Sequence, residues 1–103
     1  MHREELMSTP QSWAGIVRTP PGSASGWHHH GEYDSYIYGI SGKTRLEFGP
    51  GGKESLEGEP GDVLYIPKGI VHRELALGSE EGEAFLVRVG KGEPVINVDG
   101  PAN

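Results

Sequence analysis

The chain has 103 residues, a length typical of one domain. Its formal net charge is −6, and it contains only nine lysines and arginines. Nucleic acids are bound by clustered cations, so this charge balance argues against a nucleic-acid partner. The chain contains no cysteine, which excludes disulfides, thiolate nucleophiles and cysteine-based zinc sites. Any metal site must therefore use histidine together with aspartate or glutamate.

The order of predicted elements favours an all-β protein. Residues 1–12 are polar and are predicted to form an N-terminal arm, either one helical turn or a segment that crosses to a partner subunit. Short β-branched and aromatic runs follow, separated by glycine and proline, and each is typical of a strand. They cover 13–18, 26–30, 35–40, 43–48, 54–56, 62–66, 71–77, 84–89 and 95–98. We therefore predict a sandwich or small barrel over residues 13–98, followed by a tail at 99–103.

Four of the five histidines lie in two separate patches, GWHHHGEYD and PKGIVHRE. Residues i and i+2 of a strand point to the same face, so His28 and His30 can ligate one ion, whereas His29 points away and is expected to be exposed or packed. The second patch contains His72. In its PKG turn the proline fixes φ and Gly69 can adopt positive φ, so the turn would bring His72 from another strand to face the pair.

The spacing of the two patches resembles the two motifs of the cupin superfamily, G-x5-H-x-H-x(3,4)-E-x6-G and G-x5-P-x-G-x2-H-x3-N. The motif positions are Gly22, His28, His30, Ser35 and Gly42, then Gly61, Pro67, Gly69, His72 and Ala76. The resemblance spans residues 22–76 and implies a single-domain double-stranded β-helix, the jelly-roll barrel of cupins. It also implies a divalent transition metal (Fe, Mn, Ni, Cu or Zn) held by His28, His30 and His72, with open positions for a small-molecule substrate or ligand.

The fourth ligand position departs from the cupin motif, because the glutamate position holds Ser35. Asp34 would fit the shorter spacing, and Glu32 is a second carboxylate in the same loop. A one-residue slip in a strand normally turns a side chain to the other face. The sequence therefore leaves two alternatives, a site completed by Asp34 or a metal held by three histidines alone.

Glu74 shares strand parity with His72, so it can point into the same cavity. There it, or Asp34, could transfer protons as a catalytic residue, or it could be an extra ligand. The alternative is a carboxylate at the barrel rim, paired with Arg73 or Arg45. Two aromatic residues of the strand at 35–40, Tyr36 and Tyr38, share one face and are expected to pack between the sheets or to line the pocket.

The resemblance implies a metal-dependent enzyme acting on a small organic molecule, first of all a dioxygenase-type oxidoreductase. A non-enzymatic cupin that binds or senses a small molecule or a metal, and a metal-assisted isomerase or lyase, remain open alternatives. Small cupins often associate through an outer sheet, so we expect a homodimer. No run approaches the roughly 18 apolar residues of a membrane span, so no membrane partner and a cytoplasmic location are expected.

Overall fold

The computed structural model describes residues 2–92 and 95–100. Over these residues regular structure is almost entirely β, with one short 3₁₀ turn at Pro50–Gly52 and no α-helix. No helix in this part of the chain is long and apolar enough to cross a membrane. The strands are β1 His2–Thr9, β2 Ser12–Thr19, β3 His28–His29, β4 Asp34–Ser41, β5 Lys43–Phe48, β6 Glu54–Gly58, β7 Val63–Ile66, β8 His72–Leu77, β9 Gly82–Val89 and β10 Ile96–Asn97.

Two five-stranded antiparallel sheets make up the double-stranded β-helix. Sheet I has the strand order β1-β2-β9-β4-β7, and sheet II has the order β10-β3-β8-β5-β6. Neighbouring strands are often distant in sequence, as is typical of a jelly roll, and side chains from both sheets line one cavity. The all-β cupin fold predicted from the sequence is confirmed.

The first residues of the predicted N-terminal arm form an edge strand of sheet I. Strand β1 pairs with β2 from His2 opposite Arg18 to Thr9 opposite Ser12, with an irregularity between Glu5 and Met7. All eight residues of β1 are exposed, so no apolar alternation marks this strand in the sequence. The predicted tail follows β10, and its residues 101–103 lie outside the described part of the chain.

The core lies between the sheets and consists of buried apolar side chains from both, namely Val17, Leu46, Ile66, Ala76 and Leu86. On β4 Ser35 points inward and is completely buried. The expectation for Tyr36 and Tyr38 was wrong, since both point outward and are 44% and 48% exposed. Strand parity explains this result, because the tyrosines alternate with Ser35.

The PKG turn has the predicted conformation. Gly69 has φ of +76°, and the amide of Ile70 donates to the carbonyl of Pro67 at 3.4 Å. An L-residue with a side chain rarely adopts such a φ, so glycine is required here. The turn ends two residues before β8 and delivers His72 at the first position of that strand.

Candidate metal centre

Three histidines meet inside the barrel. His28 lies in β3, His30 follows that strand, and His72 opens β8 as the direct cross-strand partner of His28. All three are buried, and their donor nitrogens lie within 4.8 Å of one another. The ring centroids are 4.4 Å apart for His28 and His72, and 5.0 Å apart for His30 and each of the other two. Three buried imidazoles at these distances can hold one metal ion.

Backbone carbonyls fix the orientation of two of these rings. The Nδ1 atom of His28 lies 2.8 Å from the carbonyl oxygen of Gly26, and that of His72 lies 2.9 Å from the carbonyl oxygen of Ile70. Because a carbonyl only accepts, each Nδ1 carries the proton and each Nε2 keeps its lone pair. Nε2 of His72 is buried and makes no hydrogen bond. Metal-ligating histidines are oriented in the same way, so these residues fit a metal ion.

The electrostatics favour the neutral, ligating form of His28. Burial lowers the pKa of His28 below its usual range, the hydrogen bond to Gly26 partly opposes this, and the neighbouring His72 lowers it further. Neutral imidazole is the form that binds metals. The buried environment therefore prepares this histidine for a cation.

Glu74 is the carboxylate that reaches the histidines. Its Oε1 lies 3.8 Å from Nε2 of His72, and its side chain is 17% exposed. Burial acts to raise the pKa of Glu74, but the polar contact and charge attraction of His72, with His28 and His30, outweigh it and lower the pKa. The alternative of a rim ion pair is not observed, because Arg45 and Arg73 both contact Glu47 instead.

Asp34 is not brought together with the histidines. Its Oδ1 accepts hydrogen bonds from the hydroxyl of Tyr65 at 2.9 Å and from the backbone amide of Lys68 at 3.0 Å, which ties β4 to β7 and to the PKG turn. The group of close donor atoms contains His28, His30 and His72 without it. Asp34 and the buried Ser35 are neighbours in β4 and point to opposite faces of the strand. The one-residue shift relative to the motif therefore turns the Asp34 carboxylate away from the histidines.

Two other predicted candidates also lie outside the histidine group. His29 points to the opposite face from its neighbours, and its Nδ1 accepts a hydrogen bond from the amide of Gly31 at 3.0 Å. This contact agrees with the packing role expected from strand parity. Glu32 is exposed in the turn after β3. The carboxylate at the fourth motif position is therefore replaced by a buried serine hydroxyl.

His28 and His30 open onto a cavity of about 210 Å³ between the sheets. Pockets for drug-sized ligands measure roughly 300–1,000 Å³, so this smaller cavity suits a small organic molecule. Most of the lining area is apolar, and the apolar walls come from Val17, Ile37, Leu75, Ala84 and Leu86. Polar groups on the walls include His28, His30, Ser35, Glu74 and Arg88.

The sequence profile of the cupin domain matches residues 15–88. The chain belongs to the cupin family. Solved structures share the fold of this cupin. A conserved double-stranded β-helix protein from Klebsiella pneumoniae has a TM-score of 0.80 at 20% identity, covering 94% of this chain and 83% of its own. A cupin-like protein from Thermotoga maritima has a TM-score of 0.79 at 21% identity, covering 95% and 75%. KdgF from Halomonas has a TM-score of 0.74 at 23% identity, covering 87% and 78%.

A curated relative is similar to part of this cupin. The bifunctional lysine-specific demethylase and histidyl-hydroxylase NO66 of Branchiostoma floridae is 31% identical over 64 residues. The match covers 62% of this chain and 10% of the relative, so the cupin spans about a tenth of that protein.

Arg88 was not singled out from the sequence, although it lines the cavity. A usable signal exists, because Ala84, Leu86 and Arg88 share strand parity, which places a cation on the apolar face of β9. Arginine is rarely buried without a partner, so this position stands out once the parity is known. The sequence does not predict which residues of distant strands pair with Arg88.

Proposed function

We propose that this cupin is a metal-dependent enzyme, a dioxygenase-type oxidoreductase acting on a small organic molecule, with His28, His30 and His72 as the metal ligands. The observation that carries the proposal is the buried Nε2 of His72, which lacks a hydrogen-bond partner within a group of three imidazoles. A divalent metal held by these nitrogens would supply Lewis-acid or redox chemistry, with coordination positions left for other ligands.

The remaining residues of the cavity have separate roles in this proposal. The carbonyls of Gly26 and Ile70 hold the rings of His28 and His72 in place. The apolar walls exclude water from the reacting molecule. The carboxylate of Glu74 lies 3.8 Å from Nε2 of His72, so it is placed to accept a proton from a molecule bound beside the histidines. The curated relative supports an oxidative activity, because hydroxylation is an oxidation.

Oxygen consumption tests this function. We would load the purified protein separately with Fe, Mn, Ni and Cu and measure oxygen uptake with a panel of thiols, diketones and catechols. We expect uptake with at least one combination and its loss in His72→Ala. A flat oxygen trace with every metal and substrate would contradict the oxidoreductase assignment while leaving the metal site to be judged by metal analysis.

A non-enzymatic cupin that binds a small molecule or a metal is the second candidate. The observation that favours it is the absence of Asp34 from the histidine group and the presence of Ser35 at the glutamate position. A metal-assisted isomerase or lyase, which uses no O₂, would instead rely on Glu74 as a base. A small molecule that binds and is not converted would favour the non-enzymatic cupin over the dioxygenase and over the isomerase or lyase.

A further inference from the structure

Three side chains form one row across the inner face of sheet I. Arg88 of β9 lies directly opposite Trp13 of β2 on one side and Ser35 of β4 on the other. The histidines belong to the other side of the cavity, since β3 and β8 are strands of sheet II. A molecule between the sheets is therefore flanked by imidazoles from one sheet and by this row from the other.

Two polar atoms of this row are buried and unpartnered. Arg88 is 5% exposed and its Nε has no hydrogen-bond partner, while Ser35 is completely buried and its Oγ has none either. Among the described residues, no carboxylate forms an ion pair with the Arg88 guanidinium within 4.0 Å. A buried cation without an ion-pair partner is costly, so the cavity wall carries a group that an anion would satisfy.

The charges around Arg88 leave it a cation. The pKa of Arg88 is lowered to about 10, chiefly by burial and also by the positive charge of Arg3, while Glu74 and Tyr33 partly oppose this shift. The guanidinium is therefore still protonated at neutral pH. Arg3 also lines the cavity, so a second positive charge faces the same space.

The guanidinium is held in place by an aromatic ring. Its Cζ lies 5.5 Å from the centroid of the Trp13 indole, within the range of a cation–π contact. The indole Nε1 donates to Oε1 of Glu5 at 2.9 Å, and the ring lies close over Gly15. These contacts fix a planar donor on the cavity wall before any ligand arrives, which lowers the cost of binding.

We propose that Arg88 and Ser35 form a carboxylate subsite, so that the ligand of this cupin is a small organic acid. The carboxylate accepts hydrogen bonds from the guanidinium and from the Ser35 hydroxyl, and the rest of the molecule extends between the apolar walls toward His28, His30 and His72. A planar carboxylate matches the fork of arginine donors, and the apolar walls favour an organic body over an inorganic anion. The inference that this acid is also the substrate rests on the proposed function, whereas the binding of the acid is independent of that function.

Binding of simple acids and their neutral amides tests the subsite. Acetate, pyruvate and benzoate would each be compared with acetamide, pyruvamide and benzamide by calorimetric titration of the wild-type protein. We expect at least one acid to bind about tenfold or more tightly than its amide, as hydrogen bonds to a charged group predict. In Arg88→Met this preference should disappear, and in Ser35→Ala it should fall several-fold.

Matched variants keep the result interpretable. Arg18→Met removes a strand arginine that does not line the cavity, and it should leave the acid preference unchanged. If Arg88→Met does not fold, as judged by circular dichroism, Arg88→Lys keeps the charge but loses the fork, and it should weaken binding of the acid. Equal binding of acids and amides, unchanged binding in the folded variants, or equally tight binding of inorganic phosphate would overturn the proposal.

Metal analysis of the same samples separates the two proposals. Metal retention without any preference for acids would contradict the carboxylate subsite and would still support the metal function. A preference for acids that depends on Arg88, in a protein that retains no metal, would support the subsite and contradict the metal function.

Discussion

His28 and His72 are direct cross-strand partners, and in both the ring Nδ1 contacts the carbonyl of the residue two positions earlier in the chain. The same local contact, repeated on two strands, turns both Nε2 atoms toward a common point. The orientation of each ring is set by a nearby backbone carbonyl, so no further side chain is needed to hold it. We expect this pair to dominate metal affinity.

Removal of His72 should abolish metal retention. We expect His72→Ala to lose most of the metal found in the wild-type protein, because two imidazoles bind a divalent ion far more weakly than three. His29→Ala is the matched control, since His29 is a neighbouring histidine whose Nδ1 contacts Gly31 instead. Elemental analysis of both variants measures the effect, and equal metal content in the two would contradict the ligand assignment.

Acidification should release the metal and weaken the metal-free fold. The pKa of His28 is lowered in the folded protein, whereas in the unfolded chain it is about 6.5. The contribution of His28 to stability is therefore fully present above about pH 6.5, and it is lost as the pH falls through the lowered folded value. Metal content after dialysis and thermal unfolding of the metal-free protein, both between pH 5 and 8, measure the effect. Metal retention that does not change over this range would argue against imidazole ligands.

Asp34 should matter for stability and not for metal binding. Asp34→Ala removes the acceptor for Tyr65 and for the Lys68 amide, and we expect it to cost about 1 kcal/mol, since both bonds lie near the surface. Tyr65→Phe removes one of the two bonds and should cost less. Chemical denaturation combined with metal analysis checks both effects. Loss of metal in Asp34→Ala with the fold intact would restore Asp34 as a ligand.

Gly15 should be intolerant of a side chain. A Cβ at this position would clash with the backbone carbonyl oxygen of Glu4 and would lie 2.5 Å from a carbon of the Trp13 indole, so Gly15→Ala must shift strand β1 and the ring that supports Arg88. Overpacking of this kind costs about 1–3 kcal/mol. Gly26→Ala is the control, because a Cβ there would meet nothing within 4 Å. Thermal unfolding of the two variants compares their stabilities, and equal stabilities would contradict this prediction.

The homodimer expected from the sequence stays a prediction. Four large side chains stand exposed on the outer face of β4 and β7, namely Tyr36, Tyr38, Val63 and Tyr65. We expect a second copy to cover this face, because contiguous apolar surface of this kind is typical of interfaces. Light scattering should give twice the chain mass of 11.1 kDa, and Val63→Glu should shift the protein toward the monomer. A wild-type monomer would refute the prediction.

The sequence predicts the parts of this cupin that depend on local alternation and turn chemistry. Glycine and proline delimit the strands, and parity separates His28 and His30 from His29. Strand β1 is not predictable in this way, because its residues are all exposed and it is stabilised by pairing with β2. The subsite is missed for a related reason. Trp13, Ser35 and Arg88 are widely separated in sequence and become neighbours only through the order of strands in sheet I.

Strand β3 is two residues long, and only one residue pair, His28 with His72, joins it to β8. The chain just before β3 adds a bridge between Ala24 and Leu75 and a hydrogen bond from the amide of Ser25 to the carbonyl of Glu74, so the seam between β3 and β8 is short only at the histidines. A metal ion bound by both partners would act as a cross-link between them, so part of its binding free energy would be spent on closing the seam. Amide hydrogen exchange of the segment around β3 should therefore slow on metal addition, while exchange in β9, paired on both sides in sheet I, should change little. In this cupin the ion would organise β3 and the residue that follows it, which together carry two of its own ligands, His28 and His30.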